Sequence, residues 1–173
     1  YRKTSGAEKS FNNQIGLPIS ILNAEKDDEF LVLEAGTNAV GEIEKLSRIA
    51  RPDTAIITCV LPAHIEGFGS LENIAREKAS IIEGLKPNGM LICKSQKELI
   101  DALRGDAANI QFFSLNNRLV GRENDIESFE INYKGSKITI SGTQFQIPLP
   151  GKGSLENFIA ARLAAGRCGL RDR

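Results

Sequence analysis

Three side chains of this sequence could together hold a cation: the carboxylate of Glu34, the chain's single imidazole at His64, and the amine of Lys78. Glu34 closes the apolar run FLVLE. His64 follows the run TAIITCV by a few residues, in PAHIEGFG, where Pro62 fixes the backbone and Gly67 and Gly69 permit a tight turn. Continuous apolar runs of this kind read as strands of a parallel sheet, and ligands of such sheets bind beyond the carboxyl ends of the strands. A carboxylate and an imidazole thus reach one sheet edge from different strands, a combination suited to a cation or phosphate site. Taken singly, each has a plainer reading: a strand-end glutamate is usually solvated, and a lone histidine is usually a hydrogen-bonded loop or core residue.

Lys78 lies in SLENIAREKASIIEGL, residues 70–85. At ~100° per residue, Leu71, Ile74, Ala75, Ile81, Ile82 and Leu85 fall within about 60° of one direction, with Lys78 at the centre of that stripe. Glu72, Arg76, Glu77 and Glu83 lie mainly off it. A lysine at such a position either lays its stem along the apolar face and extends its amine to the rim, or holds that amine at the inner edge of a cleft. Burial disfavours the charged form and lowers a lysine pKa. A neutral amine can take up carbon dioxide as a carbamate, an anionic oxygen ligand for a hard metal such as magnesium.

The elements that must position these groups alternate. Runs at 30–36, 54–60, 89–93 and 110–115 read as strands. Helical spacing at 41–53, 70–85 and 97–103 lies between them, with Ser70 as a cap and Gly84 as a stop. Strands separated by helices indicate an α/β fold, a mostly parallel sheet flanked by helices. Residues 128–150 then alternate apolar and polar, with turns at Lys134–Gly135 and at Gly142, and predict a small antiparallel β meander near the C-terminus, solvated on one face. A last helix spans about 154–165. The polar segment 1–10 reads as loose, and NNQIGLPISIL as a loop followed by an apolar helix.

The chain has 173 residues, enough for one domain with a hydrophobic core. Its 22 basic and 22 acidic residues are interspersed, which argues against a nucleic-acid or membrane-surface protein held by bulk electrostatics. No apolar run approaches membrane-span length, and no secretory signal is visible. Tyr1 is not an initiator methionine, so the sequence reads as a piece of something longer. Cys59, Cys93 and Cys168 are far apart and odd in number, and read as reduced thiols, not a disulfide or a zinc site.

The stretches FNNQIGLPISIL, LVLEAGTNAVGEIEKLSRIARPDTAIIT, PAHIEGFGSLENIAREK and IPLPG resemble, in family order and over most of residues 11–151, the central ATP-binding domain of the Mur ligases. Within that family they look most like the branch that adds D-alanyl-D-alanine. AHIEGFGSLENIAREK separates that branch from the related folylpolyglutamate synthases. The resemblance implies that residues 1–173 are a single, partial Mur ligase-like central domain of a cytoplasmic enzyme of peptidoglycan synthesis. Such an enzyme uses ATP and Mg2+ to convert the carboxylate of a UDP-MurNAc-tripeptide to an acyl phosphate, which the amine of D-alanyl-D-alanine attacks to form an amide. It implies no nucleic-acid partner and no membrane insertion. Residue by residue, it makes Glu34 and His64 magnesium ligands and Lys78 the carbamylated lysine that helps hold a second magnesium. His64 and Lys78 are then the catalytic pair, Asn12 and Asn13 face the nucleotide and substrate cleft, and Asn157 contacts the nucleotide.

The sequence also departs from the family. No G-x-x-x-x-G-K-[ST] phosphate loop occurs, and GKGS at 151–154 is a decoy because Gln146 stands where the first glycine is needed. The family's loop, and its N-terminal UDP-binding and C-terminal amino-acid-binding domains, are expected outside residues 1–173, and this chain alone is expected to be inactive. Gly153 and Ser154 replace a His-Asn pair, and Lys94-Ser95-Gln96 replaces Asn-Ala-Asp. Two alternatives therefore stand beside the ligase: a degenerate Mur-like module that binds nucleotide or a partner without chemistry, and a related ATP-dependent ligase with another acceptor.

Overall fold

A computed structural model describes residues 2–62, 65–106, 108–115 and 126–170. His64 lies outside the described residues. Among the described residues, two parallel sheets and one antiparallel sheet are formed. In the first, β1 (Thr4–Gly6) pairs in parallel with β2 (Phe30–Val32), Thr4 opposite Phe30 and Gly6 opposite Val32. The N-terminal segment is therefore not loose. Backbone ladder bonds fix it, and ion pairs from Arg2 to Glu29 and from Lys3 to Glu25 and Asp27 tie it to the chain before β2. The run expected to form a buried strand over 30–36 is shorter and more open: Leu31 is 36% exposed and Val32 62%. Among the described residues β2 pairs with β1 alone, and its Leu31 and Val32 side chains stay open to water.

The second sheet carries the core. Strands β3 (Thr54–Ile57), β4 (Met90–Lys94) and β5 (Asn109–Phe113) run parallel in that spatial order. The period of two along β4 sends Leu91 and Cys93 to one face and Ile92 to the other. Leu91 and Cys93 pack with Ile57, Ile74, Ala75 and Leu99, whereas Ile92 packs with Phe113, Ile138, Leu155 and Ile159. Helices α4 (Leu71–Ala79) and α5 (Lys97–Ala102) cover the first face. The second is covered by α6 (Lys152–Arg167) and by the antiparallel meander β6 (Ile126–Asn132), β7 (Gly135–Ile140) and β8 (Thr143–Ile147). The sequence expectation of a parallel sheet covered on both faces, with a small antiparallel sheet near the C-terminus, matches this architecture.

Helices α1 (Gly16–Leu22) and α2 (Glu42–Ala50) pack against each other, and α2 also packs against α4. A single helical turn, α3 (Ile65–Phe68), forms where only a glycine turn was expected, and Gly69 leaves it with φ +78°. The Ser70 hydroxyl caps α4 by accepting the Asn73 N–H at 3.2 Å. The helix expected over 70–85 ends at Ala79 and tightens into a 3-10 turn, Ser80–Gly84. That turn lies against α2, where the Ser47 hydroxyl donates to the Ile81 carbonyl. A Cβ on Gly84 would lie 2.1 Å from the Ser47 carbonyl.

Candidate functional site

The site is assembled from loops that follow the strands. Glu34 lies two residues beyond β2, and one of its carboxylate oxygens accepts the Asn12 amide N–H at 2.9 Å. Its other oxygen has no partner among the described residues. The Asn12 carbonyl accepts the Gly36 N–H at 2.8 Å, and a Cβ at Gly36 would lie 2.8 Å from the Asn12 amide nitrogen. Position 36 therefore has to be glycine for Asn12 to reach Glu34 in this way. Asn13 acts locally. Its side-chain oxygen accepts the Ile15 and Gly16 N–H groups at 3.0 and 2.9 Å and starts α1. Asn12, Asn13, Gly36, Thr37 and Glu42 line a cleft of about 220 Å³.

Lys78 is half-buried, and its amine donates to the Cys59 carbonyl at 2.8 Å. Cys59 lies two residues past the end of β3, so the amine does reach the carboxyl edge of the second sheet. The next residue, Val60, is gripped by the Gln96 side chain, which accepts the Val60 N–H at 3.0 Å and donates to its carbonyl at 2.9 Å. Lys78 and Gln96 together fix the chain that leads toward His64. Position 96, where the sequence departs from the family, is thus occupied by a side chain with a defined structural role.

Lys94 and Glu156 join two of the regions that depart from the family. The Lys94 amine and the Glu156 carboxylate meet at 2.7 Å, 25% and 17% exposed, between the end of β4 and the first turns of α6. Ser154 donates its hydroxyl to the Pro150 carbonyl at 3.0 Å, and Asn157 is exposed on α6. The Cys93 thiol is buried in the core, and burial pushes its pKa up to about 12. Cys59 and Cys168 are half-buried and, like Cys93, form no disulfide.

Sequence reasoning missed Glu77. It places Lys78 at the centre of the stripe and Glu77 off it, yet Glu77 is the buried residue, 4% exposed, and Lys78 the half-buried one. Glu77 accepts the N–H groups of Gly41 at 2.7 Å and Ile43 at 2.9 Å, and the Thr37 hydroxyl approaches it at 3.2 Å. One signal could have found it. The segment AVGEIEKL opens a helix with no Ser, Thr, Asp or Asn at the cap, and α2 has no side-chain cap of its own. Its first N–H groups therefore need an acceptor from elsewhere in the chain. Glu42 completes the knot by accepting the Asn38 and Ala39 N–H groups at 2.7 and 3.1 Å, and these bonds, the Asn38 one foremost, hold its carboxyl below the usual glutamate range.

Among the described residues, no group of three or more His, Cys, Asp and Glu is arranged to hold a metal ion. None of their helices is long and apolar enough to cross a membrane.

The Mur ligase middle domain profile matches residues 2–165. The chain belongs to the Mur ligase middle-domain family. Among its relatives, the UDP-N-acetylmuramoyl-tripeptide–D-alanyl-D-alanine ligase of Bacillus subtilis is 39% identical over 168 residues, 95% of this chain and 34% of the relative. The corresponding ligase of Haemophilus influenzae is 31% identical over 166 residues, 92% of this chain and 35% of the relative. The fold is similar to that of MurF from Acinetobacter baumannii, with a TM-score of 0.86 at 25% identity over 98% of this chain and 38% of that one. It is also similar to MurF ligase from Thermotoga maritima in complex with ADP, with a TM-score of 0.81 at 27% identity over 99% of this chain and 40% of that one. This Mur ligase middle domain spans about a third of the length of these two ligase relatives.

Proposed function

We propose that this chain is the central domain of an ATP-dependent amide ligase that adds D-alanyl-D-alanine to a UDP-MurNAc-tripeptide through an acyl phosphate, in the cytoplasmic stage of peptidoglycan synthesis. The observation that carries the reading is the loop-edge cluster: Asn12 on the Glu34 carboxylate beside a polar cleft, in a chain whose relatives are named UDP-N-acetylmuramoyl-tripeptide–D-alanyl-D-alanine ligases. The glycine-rich phosphate loop and the flanking substrate domains lie outside residues 1–173 in this reading, which accords with the share of the relatives that is matched.

Magnesium fits part of the donor set. Glu34 offers a carboxylate with one oxygen steadied by Asn12, and hard cations take such oxygens. Lys78 as an amine is a donor to Cys59, not a metal ligand. Converted to a carbamate, it would offer anionic oxygens near the carboxyl edge. Glu34, His64 and that carbamate would hold the metal, with Asn12, Asn13 and Asn157 disposed toward the nucleotide. Bound magnesium supplies charge neutralisation for phosphoryl transfer. The chain's own residues orient the ligands: Asn12 aims Glu34, Gly36 leaves room for Asn12, and Gln96 with Lys78 holds the approach to His64.

The test is ligation by the longer protein that contains this chain. With UDP-MurNAc-tripeptide, D-alanyl-D-alanine, ATP and magnesium, it is expected to release ADP and phosphate and form the amide, and Lys78→Ala is expected to lower the rate by about 10² or more. Absence of acyl phosphate together with an unaltered Lys78→Ala protein would end this reading. The replacements at Lys94–Gln96 and at Gly153 and Ser154 motivate one alternative, a module that binds nucleotide or a partner without chemistry. Tight nucleotide binding by calorimetry with no turnover would select it.

A further inference from the structure

We propose that Glu77 is a positioning residue for the cleft: through its carboxylate, helix α4 holds the wall formed by residues 37–43. The inference rests on the ligase reading for its kinetic consequence, but not for its structural one. Glu77 is almost wholly buried, and no lysine or arginine pairs with it among the described residues. A buried carboxylate without a counter-ion is costly unless hydrogen bonds stabilise its charge. Here they come from the start of α2. One oxygen takes the Gly41 N–H and the other takes the Ile43 N–H, and the uncompensated N–H groups of a helix N-terminus favour negative charge. Thr37 approaches the second oxygen. Gly41, the cap residue of α2, is at φ +84°, a conformation in which glycine is unstrained.

The contact matters because of what neighbours it on both chain segments. The segment Glu77 holds begins at Thr37, three residues after Glu34, and Thr37 and Glu42 line the cleft beside Asn12. The residue next to Glu77 on α4 is Lys78, which reaches the Cys59 carbonyl. Two adjacent residues of one helix, about 100° apart around its axis, therefore fasten two loops: the one after β2 and the one after β3. Movement of either loop changes the separation between the groups at the end of the first sheet and those at the end of the second. Glu77 sets that separation without itself facing the cleft.

Three proteins decide the matter, each made in the longer enzyme: Glu77→Gln, Glu77→Asp, and Leu103→Ala as a control. Leu103 is buried in the core beyond α5 and bears on stability alone. In Glu77→Gln, an NH2 faces one of the two N–H groups, so one acceptor is lost and a repulsion is added. Amide exchange at Gly41 and Ile43 is expected to quicken about tenfold or more relative to the control at matched Tm. The magnesium concentration for half-maximal ATP turnover is expected to rise by about tenfold while kcat at saturating metal changes less than about threefold. Glu77→Asp, which keeps the charge but is one methylene shorter, is expected to fall between wild type and Gln, and is read in its place if Gln does not fold. Exchange within twofold of wild type overturns the proposal, as does a magnesium midpoint that moves no further than in Leu103→Ala. If the wild-type protein has no magnesium-ATP turnover, the ligase reading fails and exchange alone decides: faster exchange over 37–43 upholds the positioning role, and unchanged exchange removes it.

Discussion

At the scale of single residues, Cys93 gives a measurable consequence of burial. Its thiol sits at the core face of β4 with a pKa pushed up to about 12 from 9.0, because the thiolate would lose its water. In the unfolded chain it ionises first. Its contribution to stability is fully present below about pH 9 and is lost as pH rises toward 12, at about 1.4 kcal/mol per pH unit. Urea unfolding between pH 9 and pH 11 is expected to show that slope, and Cys93→Ala is expected to flatten it by about the same amount; an equal slope in both proteins would place the thiol elsewhere. The residues that could be read from the sequence are those whose chemistry is local or carried by a motif. Asn12 and Glu34 are named by their stretch, and Lys78 by its place on a helical stripe. Glu77 is not legible in that way. Helical phase tells which side of α4 a residue takes, but not that the start of another helix will be waiting there with unpaired N–H groups. Gln96 escapes for the same reason, since its partner is the backbone of Val60 and backbone leaves no mark in a sequence.

At the scale of elements, α2 and the 3-10 turn after α4 make a close backbone contact. Gly84 lies against the Ser47 carbonyl with no room for a methyl group. Gly84→Ala is expected to cost about 2 kcal/mol and to lower Tm by roughly 4–8 °C, since the two elements would have to part; differential scanning calorimetry measures it directly. An unchanged Tm would mean that the turn shifts freely against α2. The sequence marks Gly84 as the end of a helix, which it is. It does not show that the last turn tightens, because the cause is the surface of α2, 34–37 residues earlier in the chain. The central strands were legible because each is a continuous apolar run between helices. β1 was not, since TSG is short and polar and owes its strand geometry to the ladder with β2.

At the scale of the whole molecule, the parallel strands divide into a pair and a triple, with no strand among the described residues joining β2 to β3. Leu31, Val32 and Ile56 are exposed on these two strands. Open strand edges with apolar neighbours template pairing with other chains. We expect the 173-residue chain on its own to self-associate as its concentration rises, measured as a growing mass by light scattering, and Val32→Lys to restrain the growth without lowering Tm by more than about 2 °C. A single mass at all concentrations would show that both edges are protected. The division has a practical side as well. If that self-association is seen, the storage life of a sample of this chain would follow from its open strand edges more than from the strength of its core, so dilution or a charged edge would do more for it than an additive that stabilises the fold.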